Sequence, residues 1–241
     1  MPWHGLALTP ATREETWVEF LQVVPDWVPQ QQATVIVAPH PDDETLGAGG
    51  LIAIQRFHAI PVTLLAVTDG EAAYPGVPEL RRTRRREQAR AAKALGVAND
   101  AVIRLGFRDS AVTESERALT DRIEACINSD TLLVAPWPGD PHPDHEACGR
   151  AAATAASRTG ATLISYFFWT WHRFRPDYLN GLPLRRLALS ADASARRARA
   201  LACHQSQLNR SKEPPILPEI FLAPARRPFE TFAIYDDQHS L

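Results

Sequence analysis

Val35-Ile36-Val37-Ala38-Pro39-His40-Pro41-Asp42-Asp43-Glu44 passes from a β-branched run straight into imidazole and carboxylates. Thr34 to Val37 shows no polar alternation, the pattern of a strand covered on both faces, as a parallel strand between helix layers is. Pro39 and Pro41 end it. Each proline fixes its own φ and biases its predecessor away from helical geometry, so His40 is held in a rigid, extended turn ahead of a helix that Asp42 to Glu44 open. Imidazole beside carboxylates at the C-terminal end of a strand suits a divalent ion of the zinc type, and a further acid next door suits a base. A plain helix start also explains the three acids, which the macrodipole and capping favour in a first turn, but it does not explain His40.

Working outward, the chain alternates in a βα rhythm: strand 34–38, helix from about 44 to 58, strand 62–67, helix 79–95, strand 101–105, helix 114–128, strand 131–135, helix 145–158 and strand 162–168. Such alternation predicts an α/β fold, Rossmann-like and three-layered, with a mostly parallel sheet between helices. The 241 residues, 45% of them hydrophobic, are read as a single domain spanning 1–241. A net charge of −2 and a pI near 6.4 ask for neither nucleic acid nor an anionic membrane. Basic residues are nearly all arginine; Lys93 and Lys212 are the only lysines. Three scattered cysteines, Cys126, Cys148 and Cys203, argue against a disulfide framework and fit a reducing cytoplasm. The N-terminal stretch to Gln32 carries no apolar run long enough for a signal peptide or a membrane span, so a soluble start is expected.

Gly47-Ala48-Gly49-Gly50 invites a dinucleotide-binding reading. The glycines lack the G-x-G-x-x-G order, and the carboxylates in the turn would repel a pyrophosphate, so close packing of a helix on the sheet is the preferred reading.

A second buried strand, Leu132-Leu133-Val134-Ala135, leads into Pro136-Trp137-Pro138-Gly139-Asp140-Pro141-His142-Pro143-Asp144-His145-Glu146. The design repeats that of the first stretch. Doubly wound sheets bind ligands beyond the carboxyl ends of their strands, where both clusters fall. One histidine alone is more often an ordinary hydrogen-bonded residue than a ligand; two stereotyped clusters shift that balance.

These two segments resemble the PIG-L/LmbE-like de-N-acetylase family, in its A-x-H-P-D-D-E and H-P-D-H signatures. Weaker matches follow in the same order: Thr68-Asp69-Gly70-Glu71, Arg84-x-x-Glu87, Arg108-Asp109-Ser110 and His204-x-Ser206-Gln207, so that the likeness covers about residues 34–207. The resemblance implies a hydrolase, dependent on Zn2+ or another divalent transition metal, that removes the acetyl group from an N-acetylated amino sugar or glycoconjugate. It implies His40, Asp43 and His145 as metal ligands, Asp42 as general base, His142 as an oxyanion-stabilising group off the metal, and Asp144 as the carboxylate that orients His142 and favours its imidazolium. Arg84 and Asp109 resemble residues that hydrogen-bond sugar hydroxyls; against this, Arg84 sits in the run Arg81-Arg82-Thr83-Arg84-Arg85-Arg86, which reads equally as a solvated helix face. One departure stands out: Asp140 occupies a position where some members carry a tyrosine that assists the oxyanion, and an ionised carboxylate cannot donate.

In the aromatic stretch Tyr166 to Phe174, Phe167 reads as core and Trp171 as a contact for a sugar ring or a second subunit, the one hint of a homo-oligomer. Ala191 to His204 reads as a helix with Arg196, Arg197 and Arg199 on its wet face, and Phe229 to Tyr235 as a C-terminal edge strand. The competing function is a non-catalytic Rossmann-like protein that binds a small molecule or sugar and keeps both clusters as turn and capping elements. A two-metal phosphoesterase needs more ligands than these.

Overall fold

Why the strand runs carry no polar alternation is visible in where their side chains go. In a computed structural model, which describes residues 9–74, 76–209 and 214–235, strand β1 (Thr34–Ala38) is buried along its whole length. Val35 and Val37 enter one apolar cluster while Ile36 and Ala38 enter another on the opposite face. Strand β2 (Val62–Ala66), β3 (Val102–Arg104), β4 (Leu132–Pro136) and β5 (Thr162–Tyr166) join it in parallel, in the order β3-β2-β1-β4-β5. Two antiparallel strands, β6 (Leu184–Ala188) and β7 (Phe229–Ile234), complete a seven-stranded sheet ending β5-β7-β6. The first eight residues of the expected single domain lie outside the described residues.

Two helix layers cover the sheet. Leu51 and Ile52 of α2 (Asp43–Phe57), Leu95 of α3 (Leu80–Leu95) and Ala200 of α7 (Ala191–Leu201) pack on Ile36, Leu64 and Val134. On the other face, Leu119 and Ile123 of α4 (Glu116–Glu124) and the alanine row of α5 (Pro143–Thr159) pack on Val35, Leu65 and Leu133. A parallel sheet covered on both faces is the expected α/β architecture. Since α2 leaves β1 toward one layer and α5 leaves β4 toward the other, a crevice opens between the C-terminal ends of these neighbouring strands, the place where such sheets bind ligands. The glycines of α2 pack as expected: a Cβ on Gly47 would meet the Tyr166 ring at 2.2 Å.

The C-terminal third departs from the sequence reading. Strand β7 is not an edge; it lies between β5 and β6, and β6 takes the edge. In β6, Leu184 and Leu187 are buried on opposite faces of the strand, in separate apolar clusters, with Arg185 and Arg186 between them. Strand β5 stops at Tyr166, and a short helix α6 (Trp169–Arg173) follows. Trp171 is 5% exposed and sits edge-on to Trp17 in a third apolar cluster, so it is core and not a contact residue. The Trp17 helix α1 (Glu14–Leu21) supplies the other wall of that cluster. Arg197, expected on a wet face, is 2% exposed. It donates to the Arg227 carbonyl and pairs with Glu230 at 3.4 Å. Glu230 in turn accepts from Gly50 N at 2.6 Å and Leu51 N at 2.8 Å, just past Ala48, where the φ/ψ of α2 is non-helical. The carboxylate caps a helix restarted at a kink.

Candidate metal centre

At the end of β1 the turn is folded back on itself: Asp43 Oδ2 accepts from His40 N at 2.8 Å, while Thr45 N and Leu46 N both donate to Asp42 O at 2.9 Å. Asp42 pays for this with φ 141°, a left-handed backbone that a non-glycine residue adopts only when its surroundings enforce it. Glu44 Oε2 is among those surroundings, accepting from Asp42 N at 3.3 Å. Thr68, at the end of β2, donates its hydroxyl to Pro39 O at 2.8 Å. The His204 motif braces the same turn from α8 (Gln205–Leu208): Gln207 donates to Pro41 O and accepts from Arg84, and Glu87 holds Ser206 N and Oγ at 2.8 and 2.7 Å.

From β4 the second cluster enters α5, with His142 as N-cap and Pro143 in the first turn. This brings His145, one full turn inside, against the first cluster. His40 Nδ1 and His145 Nε2 each lie 3.2 Å from Asp43 Oδ2. The remaining nitrogens point outward to carboxylates: His40 Nε2 to Asp144 at 3.1 Å and Asp109 at 3.3 Å, and His145 Nδ1 to Asp140 at 2.8 Å. His145 Nε2 is buried and makes no hydrogen bond. Two imidazole nitrogens and a carboxylate oxygen facing a common point, one of them an orphaned buried atom, fit a tetrahedral ion with a fourth position left over. The group His40, His142 and Asp144 also lies within ligand range. Its atoms are otherwise engaged, because His142 Nδ1 accepts from Asp144 N at 3.2 Å and Asp144 accepts from Ser110 N at 2.8 Å and Val112 N at 3.1 Å.

Electrostatics follow from burial set against these acids. Burial disfavours a charged His145, but Asp43 and Asp140 outweigh it and raise its pKa to about 9. The same contest, with Asp109, Asp144 and Asp43 winning, raises His40. Burial would raise Asp43, yet the charge of His145, with the hydrogen bond and charge of His40, holds it well below the usual carboxylate range. Asp42 moves the other way, pushed up by burial and by Asp43 against the opposing charge of Arg84. Its carboxylate lies 3.9 Å from Arg84 Nη2.

The contacts of His142 differ from what the resemblance implies for Asp144. Burial, with the charges of His40 and His145, lowers the His142 pKa to about 2, which favours a neutral ring. The Asp144 backbone N–H, not its carboxylate, is what fixes the ring, placing the proton of neutral His142 on Nε2. The Asp144 carboxylate meets His40 instead. Beside His142 stands the half-buried Trp169, with ring centroids 5.7 Å apart and planes 20° from parallel.

Arg84 and Asp109 are both at the site, but neither is a free sugar clamp. Arg84 is 3% exposed, not on a solvated face; Nη1 donates to Gly70 O at 2.7 Å and Nη2 to Gln207. Asp109 Oδ2 accepts from Ala72 N at 2.7 Å while Oδ1 faces His40. Asp140, read in sequence as a departure, is fully buried and accepts from His145 and from the 168–170 turn. Its position two residues ahead of H-P-D-H was the only signal, and the strand reading of 162–168 ran into the start of the turn it ties down.

Residues 35–156 match the family model described as PIG-L, GlcNAc-PI de-N-acetylase. A probable N-acetyl-alpha-D-glucosaminyl L-malate deacetylase 2 of Bacillus subtilis is 35% identical over 139 residues, 53% of this chain and 62% of the relative, so the match spans less than two thirds of that protein. Among solved structures, the N,N'-diacetylchitobiose deacetylase of Pyrococcus horikoshii superposes with a TM-score of 0.59 at 22% identity, covering 82% of this chain and 80% of that one. The A40926 pseudoaglycone deacetylase gives a TM-score of 0.64 at 22% identity, covering 85% and 97%. These two likenesses show the fold.

Proposed function

Because the chain belongs to the PIG-L (GlcNAc-PI de-N-acetylase) family, we propose that it is a metal-dependent hydrolase that removes the acetyl group from an N-acetylated amino sugar or glycoconjugate. The observation that carries this reading is the convergence of His40 Nδ1, His145 Nε2 and Asp43 Oδ2 beside the strained Asp42. Zinc, or another divalent transition metal, would be held by those three side chains; when bound, it supplies Lewis acidity toward an amide carbonyl and toward water, whose pKa on zinc falls to about 7.

The rest is work for the chain's own groups. Asp42 takes the proton from the attacking water. Its environment raises its affinity for that proton, which suits it to hand the proton on to the leaving amine. Arg84, at 3.9 Å, keeps the carboxylate from staying neutral throughout. His142 donates from Nε2 as a neutral ring to the carbonyl oxygen as charge develops there, a donation worth about 3 kcal/mol by analogy with other oxyanion donors. Asp144 acts on this ring through its backbone N–H. Arg84 and Asp109 act mainly by fixing Asp42 and His40. The name of the Bacillus relative, a probable glucosaminyl malate deacetylase, supports N-acetylglucosamine conjugates as the substrate class. Among the described residues no helix is long and apolar enough to cross a membrane.

The test is release of free amine from a panel of N-acetylglucosamine conjugates, with and without chelator, alongside metal content. Asp42→Ala is expected to keep its metal and lose about a hundredfold or more in turnover. His145→Ala is expected to lose the metal. Equal metal loss in both variants would reverse the assignment of base and ligand, and turnover indifferent to chelator would end the metal-dependent reading.

A further inference from the structure

Asp140 has no exposed surface, yet it carries a carboxylate whose two oxygens divide their work between two parts of the fold. Oδ1 accepts from Phe168 N at 3.3 Å, Thr170 N at 2.7 Å and Thr170 Oγ1 at 2.7 Å, tying down the start of α6. Oδ2 accepts from Trp169 N at 3.1 Å and His145 Nδ1 at 2.8 Å. A carboxylate used this way only accepts, so the bond to His145 can exist only with the imidazole proton on Nδ1. In the neutral ring that a metal needs, that choice leaves the lone pair on Nε2, the buried nitrogen that faces Asp43 Oδ2 at 3.2 Å and makes no hydrogen bond. Turn geometry by itself does not need this charge. The four donors from residues 168–170 could be served by other acceptors, whereas fixing a histidine tautomer from behind needs an acceptor with no proton of its own.

We propose that Asp140 is a positioning residue for the metal: it locks His145 in the tautomer and orientation that present Nε2 to the ion, and by bonding Trp169 N through the same oxygen it braces that ligand against the aromatic wall beside His142. The inference rests on the metal-centre reading above and adds a role that neither the resemblance nor the motif spacing supplies. Its consequence is specific to an isosteric change. In Asp140→Asn the amide oxygen belongs where three donors converge, at the Oδ1 position, which leaves NH2 facing His145 Nδ1. The ring must then accept at Nδ1 and carry its proton on Nε2, toward the ion.

Zinc affinity is to be measured by competition with a chromophoric chelator, on wild type, Asp140→Asn and Thr170→Val, with thermal melting of each metal-free protein and the cobalt(II) absorption spectrum of each loaded one. Asp140→Asn is expected to bind zinc about 10–100-fold more weakly, the usual cost of losing a carboxylate behind a ligating histidine, and to alter the cobalt spectrum. Thr170→Val, which removes a donor to the same carboxylate on the side away from His145, is expected to lower the melting temperature while leaving zinc affinity within about twofold of wild type. Wild-type zinc affinity in Asp140→Asn, or an equal loss in Thr170→Val, overturns the proposal and reduces Asp140 to a brace for the turn. Should Asp140→Asn not fold, the zinc-loaded wild type decides by NMR: a slowly exchanging His145 Nδ1 proton supports the proposal, and a proton on Nε2 overturns it. A wild type that takes up no zinc at all removes the metal reading itself, an outcome distinct from the failure of Asp140 alone.

Discussion

Gly149 sits in the second turn of α5, four residues after His145, at a point where intrinsic propensity and tertiary packing give opposite signs. In a helix interior, glycine to alanine stabilises by about 1 kcal/mol on propensity alone. Here a Cβ would lie 2.7 Å from Pro136 O and 2.8 Å from both Pro138 N and Pro138 Cα. All three are backbone atoms of the segment that leads from β4 into the second cluster, so no side chain can swing aside. Relief requires α5 to back away from that segment by roughly half an ångström, a displacement of the overpacking kind that costs about 1–3 kcal/mol and occasionally more. Offset by the propensity gain, Gly149→Ala should destabilise the protein by up to about 2 kcal/mol in urea denaturation with metal chelated. It should also weaken zinc binding, since His145 rides on the preceding turn of the same helix and metal–ligand distances tolerate only about 0.2 Å. A stability gain near 1 kcal/mol with unchanged zinc affinity would show that α5 is not seated against Pro136 and Pro138 and would refute the reasoning.

Glu230→Ala should cost about 3–5 kcal/mol, chiefly because it strands the buried Arg197 and uncaps the kink of α2, while the Glu230→Ala/Arg197→Met double variant should recover a large part of that loss; denaturation of the cycle checks it, and a double variant as unstable as the sum of the singles rejects a coupled pair. Glu44, raised by burial from 4.5 to about 7, binds its proton more tightly folded than unfolded, so its contribution to stability is fully present below pH 4.5 and declines as pH rises to about 7, by about 3 kcal/mol in all. Glu44→Gln keeps an acceptor for Asp42 N and Gln88 Nε2, and the difference between its stability and that of wild type should swing in its favour between pH 5 and 8; parallel stability curves would contradict the buried-acid account.

The parts of this molecule that could be read in its sequence are those whose cause is local. A β-branched run with no polar alternation becomes a strand buried on both faces, and prolines after it fix where the side-chain chemistry starts; both properties belong to ten consecutive residues, and both clusters were visible for that reason. Arg84 and Arg197 were hidden for the converse reason. Each sits among arginines on a helix, a pattern that averages to a solvated face, and each is buried because its partner, Gln207 or Glu230, lies far along the chain. Glu230 misled in the same way: a polar residue alternating with Phe229 and Thr231 reads as the wet side of an edge strand, whereas it points inward to a helix kink that no periodicity announces.

The centre itself shows how such long-range acids change a histidine's meaning. Burial alone would drive His40, His142 and His145 toward neutrality, and only His142 obeys. The other two are raised because a carboxylate stands on each side of them: Asp43 in front, and Asp144 with Asp109, or Asp140, behind. A pocket that gathers acids around two imidazoles beyond what burial favours, and leaves a buried nitrogen without a hydrogen bond, stores an electrostatic cost that a cation in their midst would relieve. His142, one helical turn away and faced by fewer acids, is instead lowered, so on the proposed reading the division between ligand and donor follows from where the carboxylates stand and not from the histidines themselves.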